Sequence, residues 1–586
     1  MRNSSIVNLL KVLCSYSACF VEHTWYLCIW DVLFPIINFI KLHVTSISVV
    51  TERGPPKTPV KGERSTTDLR KSEDEVRNEN WCLSMRIILK EICNLFKSSA
   101  SQKHMCTLPR FEEAWRQLCE YLRSCAVDIP AQDVGECTIE SAIVLLTVAA
   151  TDLGFERDLW TLALDTLAAI VATVAGRSPN KKTSQIFAAM VRTLGEMIAA
   201  NAQSVQPEDV VRIVDIVAPL PMLPIDDDLG SDGVTKLHTS TLAFFRDLQK
   251  LPQEVCDGTV TENVIVTLAQ YPQQALVARY QKQGEAPSER EQRRWTGILA
   301  FSSAAIALAA EIFNGETTAV AVRENVLSEF VKAVEDALMA RHREAPPAIQ
   351  KGICAVWVGL FSALIAVVDN GTDAIKEGGK EKCWVDIIEV CTDLIFFDKK
   401  TPNPVVASTV TNDVDVKERC TLSARLIDGL TKALIKNGEK YPGVGTKIVE
   451  TLFAGAKIAV AINSELCKDC YHGAFVLATN DVSRSDLIGE TSLLVVTQAK
   501  EVIEKFNESK DKEREALHTE VMCVLDELRE LRTTLEDPPK AAGNSPRGFL
   551  LKLFGVLCES TSAKEKDVKA AVKSLLDVVG NEFLGI

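Results

Sequence analysis

Residues 139–176 read IESAIVLLTVAATDLGFERDLWTLALDTLAAIVATVAG, and this stretch decides the fold. It contains two sets of five apolar residues at offsets of 4, 7, 11 and 14, the spacing of one helix face: Ile139, Ile143, Leu146, Ala150 and Leu153, then Trp160, Leu164, Leu167, Val171 and Val174. Gly154 and Gly176 follow the two stripes, and glycine can end a helix in the left-handed conformation. The stretch therefore predicts two amphipathic helices joined by a short turn, a helical hairpin.

Similar helix pairs recur downstream at roughly forty-residue spacing, without a strict sequence repeat. The predicted pairs are 185–202 with 208–218, 443–460 with 461–479, 487–508 with 514–535, and 549–558 with 564–579. Alternating apolar and polar runs between tight-turn dipeptides, which would indicate strands, are nearly absent. A helix pair that cannot bury its own apolar stripe must stack on its neighbours. The sequence thus predicts an all-α fold, a HEAT/armadillo-like α-solenoid of stacked helical hairpins.

Polar inserts divide this array into five predicted parts. Residues 1–50 are apolar N-terminal helices, and residues 51–80, with three prolines, fourteen charged residues and no aromatic residue, form a disordered linker. The solenoid then has a first part (81–230), a middle part with long loops (231–418) and a C-terminal part (419–586). Shorter polar segments predict further loops at 224–233, 281–294, 398–418 and 536–548.

Composition and charge exclude several classes of protein. The 586 residues carry a net charge of −14, and no run of five Lys or Arg residues occurs, so a polyphosphate partner is not expected. The 18 cysteines are too sparse for a disulfide scaffold. Several of them lie within apolar helical patterns, which predicts reduced core thiols in a cytosolic compartment: Cys93, Cys119, Cys354, Cys391, Cys523 and Cys558.

The apolar start of the chain raises the question of a membrane segment. Residues 6–50 are rich in apolar and aromatic side chains, but charged residues interrupt them at Lys11, Glu22, Asp31 and Lys41. A spanning helix needs about 20 consecutive residues with few or no charges. This pattern favours buried solenoid helices over a transmembrane helix or a secretory signal. Residues 295–310 and 352–368, by contrast, carry no charge, and they predict central helices that pack on two sides.

One local cluster carries candidate metal chemistry. Cys467, Cys470 and His472 have C-x-x-C spacing followed by an imidazole, and they could supply three zinc ligands. No fourth ligand lies near them in the sequence, since Cys420 is the nearest other cysteine. Structural thiols are therefore the favoured interpretation, and a metal site is the alternative.

No motif indicates an enzyme. The segment 378–380 (GGK) is followed by Glu381 where a P-loop needs Ser or Thr, and 443–445 (GVG) lacks a preceding strand and a third glycine. Histidines occur without H-E-x-x-H, and serines without G-x-S-x-G. The sequence predicts no catalytic, cofactor-binding or metal residues and no cofactor. It favours a non-enzymatic binding scaffold; an enzyme with scattered catalytic groups remains the open alternative.

The order of certain residues and helices resembles the C-terminal helical region of the Mon-two family, which comprises large Golgi and endosome trafficking proteins. These are related to the large Arf guanine-nucleotide exchange factors but lack their exchange domain. The resemblance covers about residues 20–586 and is best at the two ends. It rests on segments 23–34 (HTWYLCIWDVLF), 80–96, 111–127 with FEEAW, 136–149, 159–160, 178–199, 219–224, 495–531 and 549–579. The N-terminal dimerisation and Sec-seven-upstream regions of the family have no counterpart in this chain.

The resemblance implies a cytoplasmic scaffold attached peripherally to trans-Golgi or endosomal membranes, acting in endosome-to-Golgi retrieval, vesicle-mediated protein transport and Golgi homeostasis. It implies three partners: a Dopey-type protein, an aminophospholipid flippase and an Arf-like GTPase. It carries over no catalytic or ligand-binding residue. The alternative is a generic HEAT-repeat adaptor, such as an importin-like carrier, a kinase or phosphatase scaffold or a chaperone cofactor, because the same helix pattern would serve it.

Overall fold

A computed structural model describes most of the helical part of the chain. The described residues are 2–16, 19–52, 73–101, 110–151, 156–177, 179–278, 288–316, 318–339, 442–459, 464–480, 488–533 and 546–583, with isolated positions within 352–367 and 424–435. The loop predicted at 398–418 lies outside these residues, as do most of the linker 51–80 and most of the loop 536–548.

The described residues form helices and no strand. The α-helices are α1 (Arg2–Tyr16), α2 (Glu22–Tyr26), α3 (Phe34–Glu52), α4 (Glu73–Ser101), α5 (Phe111–Asp128), α6 (Gln132–Thr151), α7 (Arg157–Ala175), α8 (Lys181–Ala200), α9 (Pro207–Val217), α10 (Lys236–Leu248), α11 (Gly258–Ala278), α12 (Glu289–Asn314), α13 (Val320–Met339), α14 (Pro442–Ala459), α15 (Ser464–Asn480), α16 (Ile488–Glu508), α17 (Asp511–Thr533), α18 (Pro546–Ser560) and α19 (Lys566–Phe583). A π-helical segment, Leu27–Leu33, joins α2 to α3, and a short 3₁₀ helix spans Leu220–Met222.

The chain divides into two compact units, Met1–Val264 with Ala286–Phe301, and Ile265–Glu285 with Ser302–Ile586. In the first unit, α4, α6, α8 and α10 pack side by side as one layer, and α3, α5, α7 and α9 form a second layer against it. The predicted hairpin is confirmed, since α6 packs against α7. The whole second stripe, from Trp160 to Val174, is buried, whereas Ile143 of the first stripe is only half-buried.

The second unit repeats this arrangement. Three hairpins, α14 with α15, α16 with α17, and α18 with α19, stack so that α14, α16 and α18 form one layer and α15, α17 and α19 the other. The bounds of these six helices agree with the predicted pairs to within a few residues. The fold is therefore an all-α, HEAT/armadillo-like α-solenoid of stacked helical hairpins, as the apolar stripes predict.

Side-chain bonds between successive helices of one layer reveal the length of the repeat. Arg86 pairs with Asp133 across 47 positions, and Gln132 bonds to Thr183 across 51. In the second unit, Tyr471 bonds to Glu520 across 49 positions. The structural repeat is thus close to fifty residues, longer than the predicted forty, because the segments between helices add to it.

Several of these bonds involve buried carboxylates that pair with the next helix of the same layer, and we call these contacts polar staples. Glu136 of α6 is 1% exposed; it accepts a hydrogen bond from Thr183 Oγ1 at 2.7 Å and pairs with Lys182 Nζ at 2.6 Å. Asp209 of α9 is fully buried and pairs with Arg157 of α7. Asp209 lies in the first turn of α9, where the helix N-terminus stabilises its negative charge.

Caps explain why two helices begin earlier than the stripes predict. Asn180 accepts hydrogen bonds from the backbone N–H groups of Lys182 and Thr183, which starts α8 at Lys181. Ser288 and Glu291 cap α12 reciprocally, so residues 289–294 are helical and the loop predicted at 281–294 is wrong there. The loop predicted at 224–233 is confirmed. This loop contains three consecutive aspartates, 226–228, and each makes one contact: they bind, in order, Arg290, Ser184 and Lys181.

Three further predictions need correction. Residues 73–80 belong to α4 rather than to the disordered linker 51–80, because their Glu and Arg side chains favour helix and the acidic ones suit its first turn. Gly176 follows α7 with φ −69°, in the right-handed region, so it is no left-handed cap. Cys558 is exposed, although Cys93, Cys119 and Cys523 are buried as predicted. Cys354 and Cys391 lie outside the described residues.

The N-terminal helices are less buried than the sequence predicts. By length and composition alone, four described helical stretches could cross a bilayer: Glu22–Ser46, Gln132–Thr151, Arg157–Ala175 and Glu289–Asn314. Between 50% and 72% of the last three is buried within the protein, as expected of packed central helices, but only 33% of the first. Tyr26, Leu27, Phe39 and Leu42 are exposed on it. The predicted burial of residues 1–50 is therefore wrong for this face.

Leu167 tests the burial of the α7 stripe. Its side chain is fully buried, so Leu167→Asp places a charge among apolar atoms and should cost about 3 kcal/mol or more. Ala172→Asp, at an exposed position in the last turn of the same helix, should cost only about 1 kcal/mol, from lower helix propensity and the negative helix end. Urea unfolding followed by circular dichroism measures both. Equal midpoints for the two variants would contradict the assigned stripe.

His238, in the first turn of α10, is buried and fully hydrogen-bonded as a neutral ring. Nδ1 accepts from the Thr235 backbone N–H at 3.3 Å, and Nε2 lies 2.9 Å from the Pro221 carbonyl oxygen, so Nε2 carries the proton. The ring stacks on Phe301. Burial lowers the pKa of His238 to about 4, against smaller opposing effects of the Pro221 carbonyl and the Asp227 charge.

This lowered pKa predicts acid sensitivity. Between pH 6.5 and about 4 the unfolded chain binds a proton that the folded ring does not, so stability falls as the pH falls through that window. The loss should reach about 3 kcal/mol at its lower end. We expect His238→Gln to flatten this part of the stability profile in urea unfolding, with His23→Gln, at an exposed position, as the matched control. Parallel profiles for the unchanged protein and His238→Gln would overturn the assignment.

Candidate functional site

A surface groove lies between α7 and α9, successive helices of the second layer in the first unit. It encloses about 280 Å³. Leu164, Val171 and Ile216 are buried and form its apolar floor, while shorter alanine side chains at its edge leave the space open. The lining residues come from the middle and C-terminal parts of both helices: Leu164, Asp165, Ala168, Val171, Ala172 and Ala175 from α7, and Arg212, Asp215, Ile216 and Pro219 from α9 and its end.

Two ion pairs join α7 to α9 toward their N-terminal ends. Arg157 pairs with the buried Asp209, and Arg212 Nη2 lies 2.7 Å from Asp165 Oδ1. These contacts hold the helices together on one side of the groove, which continues from Asp165 and Arg212 toward the ends of both helices. Each helix has one basic residue, Arg157 in α7 and Arg212 in α9, and both take part in these ion pairs.

The groove is acidic. Helices α7 and α9 carry five acidic and two basic residues, and both basic side chains are already paired. Asp215 lines the groove, and partial burial of its carboxylate raises its pKa. Neither helix has a basic residue in its last turn, so the negative ends of two helix dipoles remain uncompensated there. A cation entering this end of the groove would therefore be stabilised.

The cysteines of the candidate metal cluster lie in the interior of the second unit. Cys467 and Cys470 of α15 are fully buried, and Cys523 of α17 is nearly so. The hydrogen bond with Cys523 and burial together raise the pKa of Cys467, and burial raises the pKa of Cys470. Such thiols stay protonated at neutral pH, and a metal ion would have to displace their protons in order to bind them.

His472 contacts a carboxylate of the next repeat rather than the two cysteines. Its Nδ1 lies 3.0 Å from Glu527 Oε2 of α17, and the adjacent Tyr471 hydroxyl donates to Glu520 Oε1 at 2.8 Å. Within the described ranges, no three His, Cys, Asp or Glu side chains come together closely enough to hold a metal ion. The structure thus places Cys467 and His472 in contacts between neighbouring repeats, with Cys523 and Glu527, and it buries Cys470 on the same helix.

Comparisons with known proteins identify no family. No family model and no curated protein matches the sequence. Among solved structures, a complex of SYS-1 with POP-1 aligns at 9% identity over 98% of this chain and 99% of that chain, with a TM-score of 0.27. A circular tandem repeat protein aligns at 11% identity over 93% and 96%, with a TM-score of 0.26.

A karyopherin, Kap121p, bound to the extreme C-terminus of the protein phosphatase Cdc14p, aligns at 11% identity with a TM-score of 0.22. The alignment covers all of this chain but only 64% of the karyopherin. These TM-scores are low, so the description of the fold rests on the helix contacts of this chain.

Thiol labelling tests the placement of the cysteines. Because Cys467 and Cys470 are fully buried and their pKa values are raised, iodoacetamide should label them only when the second unit opens. The exposed Cys558 is the internal control and should react at least about a hundredfold faster. Timed labelling with peptide mass spectrometry measures each site. Comparable rates at Cys470 and Cys558 would contradict the structure.

Proposed function

We propose that the chain is a non-enzymatic scaffold that binds protein partners in vesicle-mediated transport, in endosome-to-Golgi retrieval and Golgi homeostasis. The observation that carries the binding function is the α7–α9 groove, an apolar cleft on the face of a helical stack, lined by Asp215, which has no ion-pair partner in the described part of the chain. Stacked helices offer extended surfaces on which side chains of a partner can anchor. The trafficking role is supported by the resemblance of residues 20–586 to the Mon-two family.

On the same resemblance, we propose that the chain binds a Dopey-type protein, an aminophospholipid flippase and an Arf-like GTPase. It would do so at the cytoplasmic face of trans-Golgi or endosomal membranes. The groove also favours the second candidate, a generic HEAT-repeat adaptor. An acidic cleft would serve any partner with a basic, apolar segment, including the cargo of a carrier or a kinase or phosphatase subunit.

Affinity purification of the tagged full chain from its own cells, followed by mass spectrometry at moderate salt, tests the proposal. We expect a Dopey-type protein, a flippase or an Arf-like GTPase to be enriched over the tag alone. A scaffold of stacked helices holds its partners by non-covalent binding and should retain them during purification. Enrichment of nuclear transport factors, a kinase or a phosphatase would favour the generic adaptor. Recovery of no protein above the tag control would overturn the scaffold.

A further inference from the structure

The α7–α9 groove has the dimensions and charge of a site for a short peptide segment. Its lining on α7 runs from Leu164 to Ala175, eleven positions or about 16 Å of helix. A volume of about 280 Å³ accommodates a few apolar side chains rather than a whole helix. The apolar floor explains affinity for such side chains, and the flanking charges then decide which segments fit.

Three features of the groove favour a bound segment that carries a basic residue next to its apolar side chains. Asp215 has no ion-pair partner among the described residues, and its carboxylate lies at the exposed rim of the groove, beside the apolar Ile216, Pro219 and Val171 that also line it. The basic residues on or just after α7 and α9 are engaged, since Arg212 pairs with Asp165 and Arg177, two residues after α7, donates to the carbonyl oxygen of Ala126. The last turns of α7 and α9 add negative dipole ends without a basic side chain.

We infer that the α7–α9 groove binds an extended or single-turn segment of a protein partner whose apolar side chains rest on Leu164, Val171 and Ile216 and whose adjacent lysine or arginine pairs with Asp215. This inference deepens the proposed function, on which it rests, by naming the chemistry of the partner. An acidic segment is excluded by repulsion from Asp215, and a purely apolar one would leave that carboxylate desolvated and unpaired.

Random twelve-residue peptides displayed on phage, selected on the purified full chain, provide the probe. Enriched sequences should combine apolar residues with a lysine or arginine. Fluorescence polarisation then measures the affinity of one enriched synthetic peptide for the unchanged chain and for three variants of it.

Asp215→Lys reverses the charge that selects the peptide, and Ala172→Trp fills the groove from an exposed position. Each should weaken binding by about tenfold or more. Asp158→Lys makes the same charge change on α7 outside the groove and should alter binding by less than about twofold.

A second measurement isolates the ion pair. Replacing the peptide's basic residue by glutamine should weaken binding to the unchanged chain but add little to the loss already caused by Asp215→Asn. Selection of acidic peptides, equal affinity for Asp215→Lys and Asp158→Lys, or no enrichment over an unrelated bait would each overturn the inference. Circular dichroism melting of each variant separates loss of binding from loss of fold. Because the peptides are synthetic, this result is independent of which cellular partners the tagged chain retains, so the two proposals can fail separately.

Discussion

None of the described helices can cover its own apolar stripe, and the rest of the structure follows from that constraint. Helix α7 shows the consequence, since its buried residues from Trp160 to Val174 meet α5 and α6 rather than any part of α7 itself. Each hairpin is completed by its neighbour, and the burial of apolar surface that drives folding is shared between repeats. A layered stack of hairpins is the arrangement that satisfies every stripe in turn.

Apolar contact is not directional, so it leaves the offset between neighbouring helices poorly defined. The polar staples supply that definition. Glu136 with Lys182, and Asp209 with Arg157, each join one repeat to the next at a single register, because a buried carboxylate without its partner would be costly. In the second unit, Tyr471 with Glu520 and His472 with Glu527 serve in the same way. Cys467 and His472, two of the three residues that suggested a zinc site, thus form part of the contact between repeats.

The sequence predicted the helices well and the site poorly, for a physical reason. Periodicity reports which residues of one helix face inward, and this is why the predicted pairs from 443 to 579 agree with α14 to α19. Helix starts depend on single caps such as Asn180 and Ser288, which leave no periodic signal. The groove depends on the tertiary packing of α7 against α9. Alanines at 168, 172 and 175 and the aspartate at 215 are visible in the sequence, but nothing there places them side by side.

The fifty-residue separation of the inter-repeat bonds also bears on how the chain folds. Contacts such as Arg86 with Asp133 or Asn507 with Ser560 connect only adjacent repeats, so each loop that must close during folding is short compared with the chain. Topologies dominated by nearby contacts fold quickly, and assembly can begin in any repeat and spread outward. For the same reason, a lesion at one joint should remain local: hydrogen exchange would rise in the flanking helices while distant hairpins stay protected.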